Sequence, residues 1–81
     1  MSDAAIAAPI VEALSERART ETEDKASLVT VGIEMLAAAT DGRTEVSVAR
    51  RTRTLLFLSA EFRDNAGARI ASASSVHKIG A

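Results

Sequence analysis

Residues Arg43 to Ile79 constrain the fold most, because they hold three consecutive stretches of strand-like alternation: Arg43–Arg51, Arg53–Arg63 and Ala68–Ile79. In the middle stretch Leu56, Leu58, Ala60 and Phe62 alternate with Leu55, Phe57, Ser59, Glu61 and Arg63, so one face is apolar and the other mixed. A sheet of this kind needs a cover on its apolar side. Between the second and third stretches, Asp64-Asn65-Ala66-Gly67 enters with Asp and Asn and leaves with Gly. That suits a type I turn closed by a left-handed residue and predicts an antiparallel hairpin. The join at Arg51-Thr52-Arg53 has no Gly, Asn or Asp, so it predicts a bend or a longer connection instead of a tight primed turn.

The cover comes from the start of the chain. Ser2 to about Thr22 is rich in Ala, Glu, Arg and Leu, and Ile6, Ile10, Ala13, Leu14 and Arg17 recur at helical spacing. Ser2 or Asp3 is placed to cap this helix. Pro9 leaves two readings, since an interior proline removes a backbone bond at a cost of about 3 kcal/mol whereas one at the first helical position costs nothing. Either the helix kinks at Pro9 or it begins there. Glu21 to Ala26 has no apolar period and predicts a solvated connection or a frayed helical turn. Ser27 to Ala37 then alternates Val29, Val31, Ile33 and Met35 against Leu28, Thr30, Gly32, Glu34 and Leu36, which predicts a strand apolar on both faces. Gly32 in its interior permits a bulge or the close approach of another backbone. A turn through Thr40-Asp41-Gly42 follows. The expected fold is α+β, one helix (2–22) packed on a four-stranded antiparallel sheet (27–37, 43–51, 53–63, 68–79) in a single domain. Leu14, Val31, Val48, Leu56, Leu58, Phe62 and Ile70 sit on the apolar phase of their elements and are the expected core.

Eighty-one residues bury only about 60% of the unfolded surface, which leaves such a chain marginal alone and points to self-association. There is no cysteine, and the lone His77 has no companion at ligand spacing, so neither a disulfide frame nor a metal site is expected. Ten basic against eleven acidic residues give a net charge of −1, and Trp and Tyr are absent, which argues against nucleic acid as the partner. No apolar run approaches the roughly 18 residues of a membrane span, and no signal peptide opens the chain, so a cytoplasmic location is expected.

Gly-rich phosphate loops, nucleophile elbows and paired metal-ligand motifs are missing. His77 falls on the face of Arg69, Ala71, Ala73 and Ser75 in the last strand. No carboxylate or nucleophile has a spacing that pairs with it, so it is expected to be a surface or partly packed side chain and not a base. Asp3 and Glu12 are the carboxylates of the helix's first half, and residues so placed are more often caps or solvated side chains than bases. Arg50, Arg51 and Arg53 can hold phosphate or carboxylate through forked hydrogen bonds, or can keep a strand end soluble and unpaired. The two readings stand level.

The runs Leu28-Val29-Thr30-Val31-Gly32-Ile33-Glu34-Met35-Leu36, Asp41-Gly42, Val46 to Leu55 and Glu61 to Ala71 resemble the C-terminal portion of hotdog-fold acyl-CoA thioesterases of the phenylacetate-degradation type. The resemblance covers roughly Ser27 to Ile79 and, more weakly, the helix. It rests on apolar patterns and turns. It implies that Ser2 to Arg19 is the helix around which the hotdog sheet wraps. The family's catalytic Asp on that helix would fall on Asp3, in Ser2-Asp3-Ala4-Ala5. Its cationic segment beside the coenzyme A nucleotide would fall on Arg50, Arg51 and Arg53. No cofactor is implied beyond coenzyme A as part of the substrate. Family members also carry one or two strands and a His-Gly-Gly type of turn before the helix, and no such residues precede it here.

Two functions follow as expectations. One is hydrolysis of an acyl-CoA thioester with Asp3 as the reacting carboxylate. The other is a non-catalytic dimeric ligand-binding or interaction module with a shortened hotdog core. The resemblance also implies the strand order 43–51, 53–63, 68–79, 27–37. One edge then carries Arg43, Glu45 and Arg51, charges that discourage pairing, and the other is the unguarded strand 27–37. A homodimer joined through that strand is the expected assembly.

Overall fold

The computed structural model describes residues 2–38 and 41–80, so Thr40 of the expected turn lies outside the described residues. The helix α1 spans Asp3–Thr22, and the strands are β1 (Ala26–Met35), β2 (Gly42–Arg51), β3 (Leu55–Asp64) and β4 (Arg69–Ile79). They form one antiparallel sheet in the order β1-β4-β3-β2. This is the expected α+β architecture and the expected strand order, with the helix lying on one face.

The helix buries Ile6, Ile10, Leu14, Ala18 and Thr22. At about 100° per residue, each step of four advances the stripe by about 40°, so four steps turn it by about 160° around the axis. A flat sheet could not cover such a stripe. The strands must curve about the helix, and β1, β2, β3 and β4 all touch it. Beneath it lie Leu56, Leu58, Ala60 and Phe62 of β3 with Ile70, Ala71 and Ala73 of β4, which together form the core. The alternation of β3 is thus resolved as read.

Helix ends follow from side chains. Ser2 is the N-cap, its Oγ accepting from the Ala5 N–H at 3.2 Å. At the other end Glu23 and Asp24 both take positive φ, 54° and 65°, and the Asp24 N–H closes on the Arg19 carbonyl at 2.9 Å. Pro9 corrects the expectation that the helix would begin there, because α1 runs unbroken from Asp3 with Pro9 in its second turn. Pro9 and Ala5 are both exposed, so the Ala5 carbonyl that loses its partner faces water, while Ile6 and Ile10 on either side are buried.

Three bulges shift the strand phases, at Val29 against β4, Ala49 against β3 and Ile70 against β3. Ile70 and Ala71 are consequently both buried, and Arg69 pairs with Arg63 on the outer face instead of sharing the face of Ala71. Val48 is the one expected core residue left exposed, at 37%. It lies opposite buried Leu58 but on an edge strand with a neighbour on one side only. Arg53 also leaves its expected place, since β3 begins at Leu55 and residues 52–54 form a loop closed by Thr52. Its N–H donates to the Leu55 carbonyl and its Oγ1 accepts from the Leu55 N–H, at 2.8 and 3.0 Å. The hairpin turn behaves as read. Gly67 takes φ 91°, and Asp64 Oδ1 accepts from the N–H groups of Ala66 and Ala68.

Candidate functional site

Asp3, the expected reacting carboxylate, is the first residue of α1 and is exposed. Its neighbour Ser2 is occupied in capping, so the local construction serves the helix first. The helix N-terminus nevertheless concentrates unpaired backbone N–H groups and the positive end of the helix dipole around Asp3, a setting that favours negative charge.

The arginines stand at the other end of the molecule. Arg51 Nη1 donates to the Glu21 carbonyl at 2.7 Å, at the C-terminus of α1, where a cation complements the carbonyls of the last turn. Arg17 Nη1 donates to the Val46 carbonyl at 3.4 Å, so α1 runs alongside β2 with its N-terminus toward the start of that strand. Eighteen helical residues separate Asp3 from Glu21, which corresponds to roughly 27 Å of axis. Within one copy the structure therefore keeps Asp3 apart from the arginine cluster. It also divides the cluster, because Arg51 is engaged by the helix, Arg50 pairs across to Phe57, and Arg53 sits in the 52–54 loop. Arg50 and Arg53 are exposed and hold no carboxylate among the described residues.

Sequence reasoning missed the placement of His77. It is 2% exposed, on the covered face of β4, and its Nε2 lies 2.8 Å from Ser75 Oγ, also buried. Burial lowers its pKa below the usual 6.5, because the charged ring would lose its water. A serine and a histidine at this distance have the geometry of a nucleophile and its base. Closed under the helix, however, they form a satisfied core pair. The alternation placed both residues on one face; what it could not show is that the helix covers that end of the sheet.

Two shallow depressions, of about 360 and 390 Å³, lie side by side on the outer face of the sheet. The first is lined by Ser47, Ser59 and Ser72 with Glu45, Glu61 and Arg63, and the second by Gly32, Glu34 and Ser74. Arg63 joins the acids of the first, reaching Glu45 at 3.4 Å and pairing with Glu61. Among the described residues no cluster of three or more His, Cys, Asp or Glu is arranged to hold a metal, and no helix is long and apolar enough to cross a membrane.

With fold and site in place, the chain can be set beside known proteins. No protein-family profile and no curated protein sequence matches it. Solved structures do match. The chain has the fold of a thioesterase-superfamily protein at a TM-score of 0.85 and 18% identity, covering 98% of this chain and 61% of that one. It is similar to a Bacillus halodurans protein solved with CoA, at a TM-score of 0.84, 13% identity, and 98% and 56% coverage. A mutant of a hypothetical thioesterase protein from Streptococcus pneumoniae TIGR4 follows at 0.69 and 11%, with 80% and 58% coverage. These likenesses establish the hotdog architecture of one helix on an antiparallel sheet. The chain spans about three fifths of the length of each of these structures.

Proposed function

We propose that this chain is the core of a thioesterase-like protein that binds an acyl-CoA and hydrolyses its thioester. The observation that supports this most is its likeness, over 98% of its length, to a protein whose structure contains CoA. In the proposed reaction the substrate carbonyl sits at the N-terminus of α1, where backbone N–H groups stabilise the developing oxyanion. The Asp3 carboxylate then activates water, or attacks directly, as the family resemblance implies. Arg50 and Arg53 hold the phosphates of the nucleotide, while Arg51 fixes the strand end to the helix.

A single copy holds these groups at opposite ends of α1, and a two-fold partner resolves the separation. β1 is an edge strand with Leu28 and Val29 exposed at 48% and 59%, as expected of a strand that pairs with its own copy. Two β1 strands paired antiparallel set the two helices antiparallel. The arginine end of one copy then lies at the Asp3 end of the other.

Thioester hydrolysis across short, long and aromatic acyl-CoAs, by wild type and Asp3→Asn, tests the chemistry. Turnover that falls at least a hundredfold in Asp3→Asn is the expected result. Absent turnover, or equal turnover in both proteins, sinks the catalytic role of Asp3. A second reading, binding without hydrolysis, is favoured by the exposure of Asp3, since hydrolysis is best served by a reacting group closed off from bulk water. CoA binding that needs Arg50 and Arg53 but accompanies no turnover would select it.

A further inference from the structure

Asp3 heads a row along α1. Ala7, Val11 and Ser15 follow it at four-residue intervals, and residues so spaced lie one above another on a helix. This row flanks the buried stripe of Ile6, Ile10, Leu14 and Ala18 on one side, while Ala13, Arg17 and Glu21 flank it on the other. Arg17 reaches the Val46 carbonyl, so the second row faces β2 and the Asp3 row faces β1, at the opposite edge of the sheet. Since β1 runs antiparallel to β2, Met35 stands at the Asp3 end of the helix, with Ile33 and then Val31 behind it. Val31, Ile33 and Met35 pack against the core and are only partly buried, as are Ala7, Val11 and Ser15. Helix and strand thus bound a half-open groove that starts at a carboxylate and continues between saturated side chains. Its far end is marked by a depression of about 410 Å³ lined by Val11, Glu12, Ser15, Glu16 and Arg19, where the walls turn polar. Asp3 and Ser15 are roughly 18 Å apart along the axis.

Resting on the acyl-CoA reading above, we propose that this groove holds the tail of the acyl group, and that the tail is an unbranched saturated chain and not an aryl group. With the thioester at the helix N-terminus, the tail leaves along the row that Asp3 itself heads. Ala7, Val11, Val31, Ile33 and Met35 offer it aliphatic surface, and the unbranched Met35 side chain adapts to its course. The two aromatic residues of the chain stand elsewhere, Phe62 in the core and Phe57 on the outer face of β3. An aryl group would find no ring to stack on, and no hydroxyl or amide before Ser15 to meet a ring substituent. A flexible chain gains with length, each methylene laid in the groove adding up to about fourfold in affinity. The gain ends at Ser15 and Arg19, where a longer tail would cover polar groups without pairing them. In a pair joined through β1 the open side of the groove faces the second copy, which completes the burial of the tail.

S-alkyl-CoA thioethers, which cannot be hydrolysed, test the groove apart from catalysis. Calorimetry on wild type, with S-ethyl-, S-butyl-, S-hexyl-, S-octyl- and S-phenethyl-CoA, should show affinity rising at each step from ethyl to octyl. S-phenethyl-CoA should bind no tighter than S-butyl-CoA. Val11→Phe, which sets a ring in the groove, should flatten the rise beyond butyl, and so should Ala7→Leu nearer its head. The slope is the readout, so a uniform loss of affinity in a variant does not imitate the effect, and circular dichroism establishes that each variant folds. Affinity that ignores chain length, S-phenethyl-CoA binding tighter than S-butyl-CoA, or a rise as steep in the folded variants as in wild type overturns the proposal. A rising series in a protein that hydrolyses no acyl-CoA keeps the groove and sinks the catalytic reading; turnover with a flat series does the reverse, and a protein that binds none of the thioethers sinks both.

Discussion

Ser75 Oγ and His77 Nε2 lie 2.8 Å apart on the covered side of β4, a buried polar pair. The ring is kept neutral by burial, with its pKa below 6.5. The folded state then stays unprotonated over a range of pH in which the unfolded chain takes up a proton. Stability is fully present above about pH 6.5 and falls as pH drops from there toward the folded pKa, at up to about 1.4 kcal/mol per pH unit. Urea midpoints measured from neutral pH downward should decline more steeply in wild type than in His77→Phe. Parallel profiles would show that His77 does not titrate in this window.

Leu56 and Val48 test how far the core extends. Leu56 is fully buried beneath the helix, and Leu56→Ala should cost about 2–5 kcal/mol in denaturant melts. Val48→Ala, at an exposed edge position, should cost less than about 1 kcal/mol. A large loss at Val48 would mean that the edge is covered in solution.

The glycines of β1 and β2 should respond oppositely. A Cβ on Gly42 would stand 2.2 Å from the Arg63 carbonyl oxygen, a backbone atom that cannot move aside, so Gly42→Ala should destabilise by roughly 1–3 kcal/mol. Gly32 has open space around the same position and no positive φ, so Gly32→Ala should be neutral or stabilise by up to about 1 kcal/mol. Thermal melts of the two variants on one plot make the comparison, and equal shifts would contradict it.

Local pattern carried the elements and not their phase. The alternation through Leu56, Leu58, Ala60 and Phe62 and the Asp64–Gly67 turn are written in neighbouring residues, and both appear as read. The pairing of β1 with β4 has no local signal, and it is the family resemblance that implies it. Bulges are invisible to a period-2 count because each adds one residue. The one at Ile70 turned Arg69 outward, and the 52–54 loop, closed by a threonine side chain, withdrew Arg53 from its strand. At the candidate site the residue types were legible. The distance between Asp3 and the arginines was not, since it depends on the helix lying along β2.

The central place of β4 also bears on how the chain is made. Of the five described elements β4 is synthesised last, yet it stands between β1 and β3 and, together with β3, supplies the covered floor beneath the helix. During translation α1 and β1 emerge early and have no seat, while β2 and β3 can form only a hairpin, which is marginal in water by itself. The nascent polypeptide therefore exposes the unguarded strand 26–35 until β4 has cleared the ribosome, and the β1–β4 pairing must then close a long loop. A premature stop after Gly67 would leave two unjoined halves, a substrate for chaperones and proteases, however faithful the message up to that point.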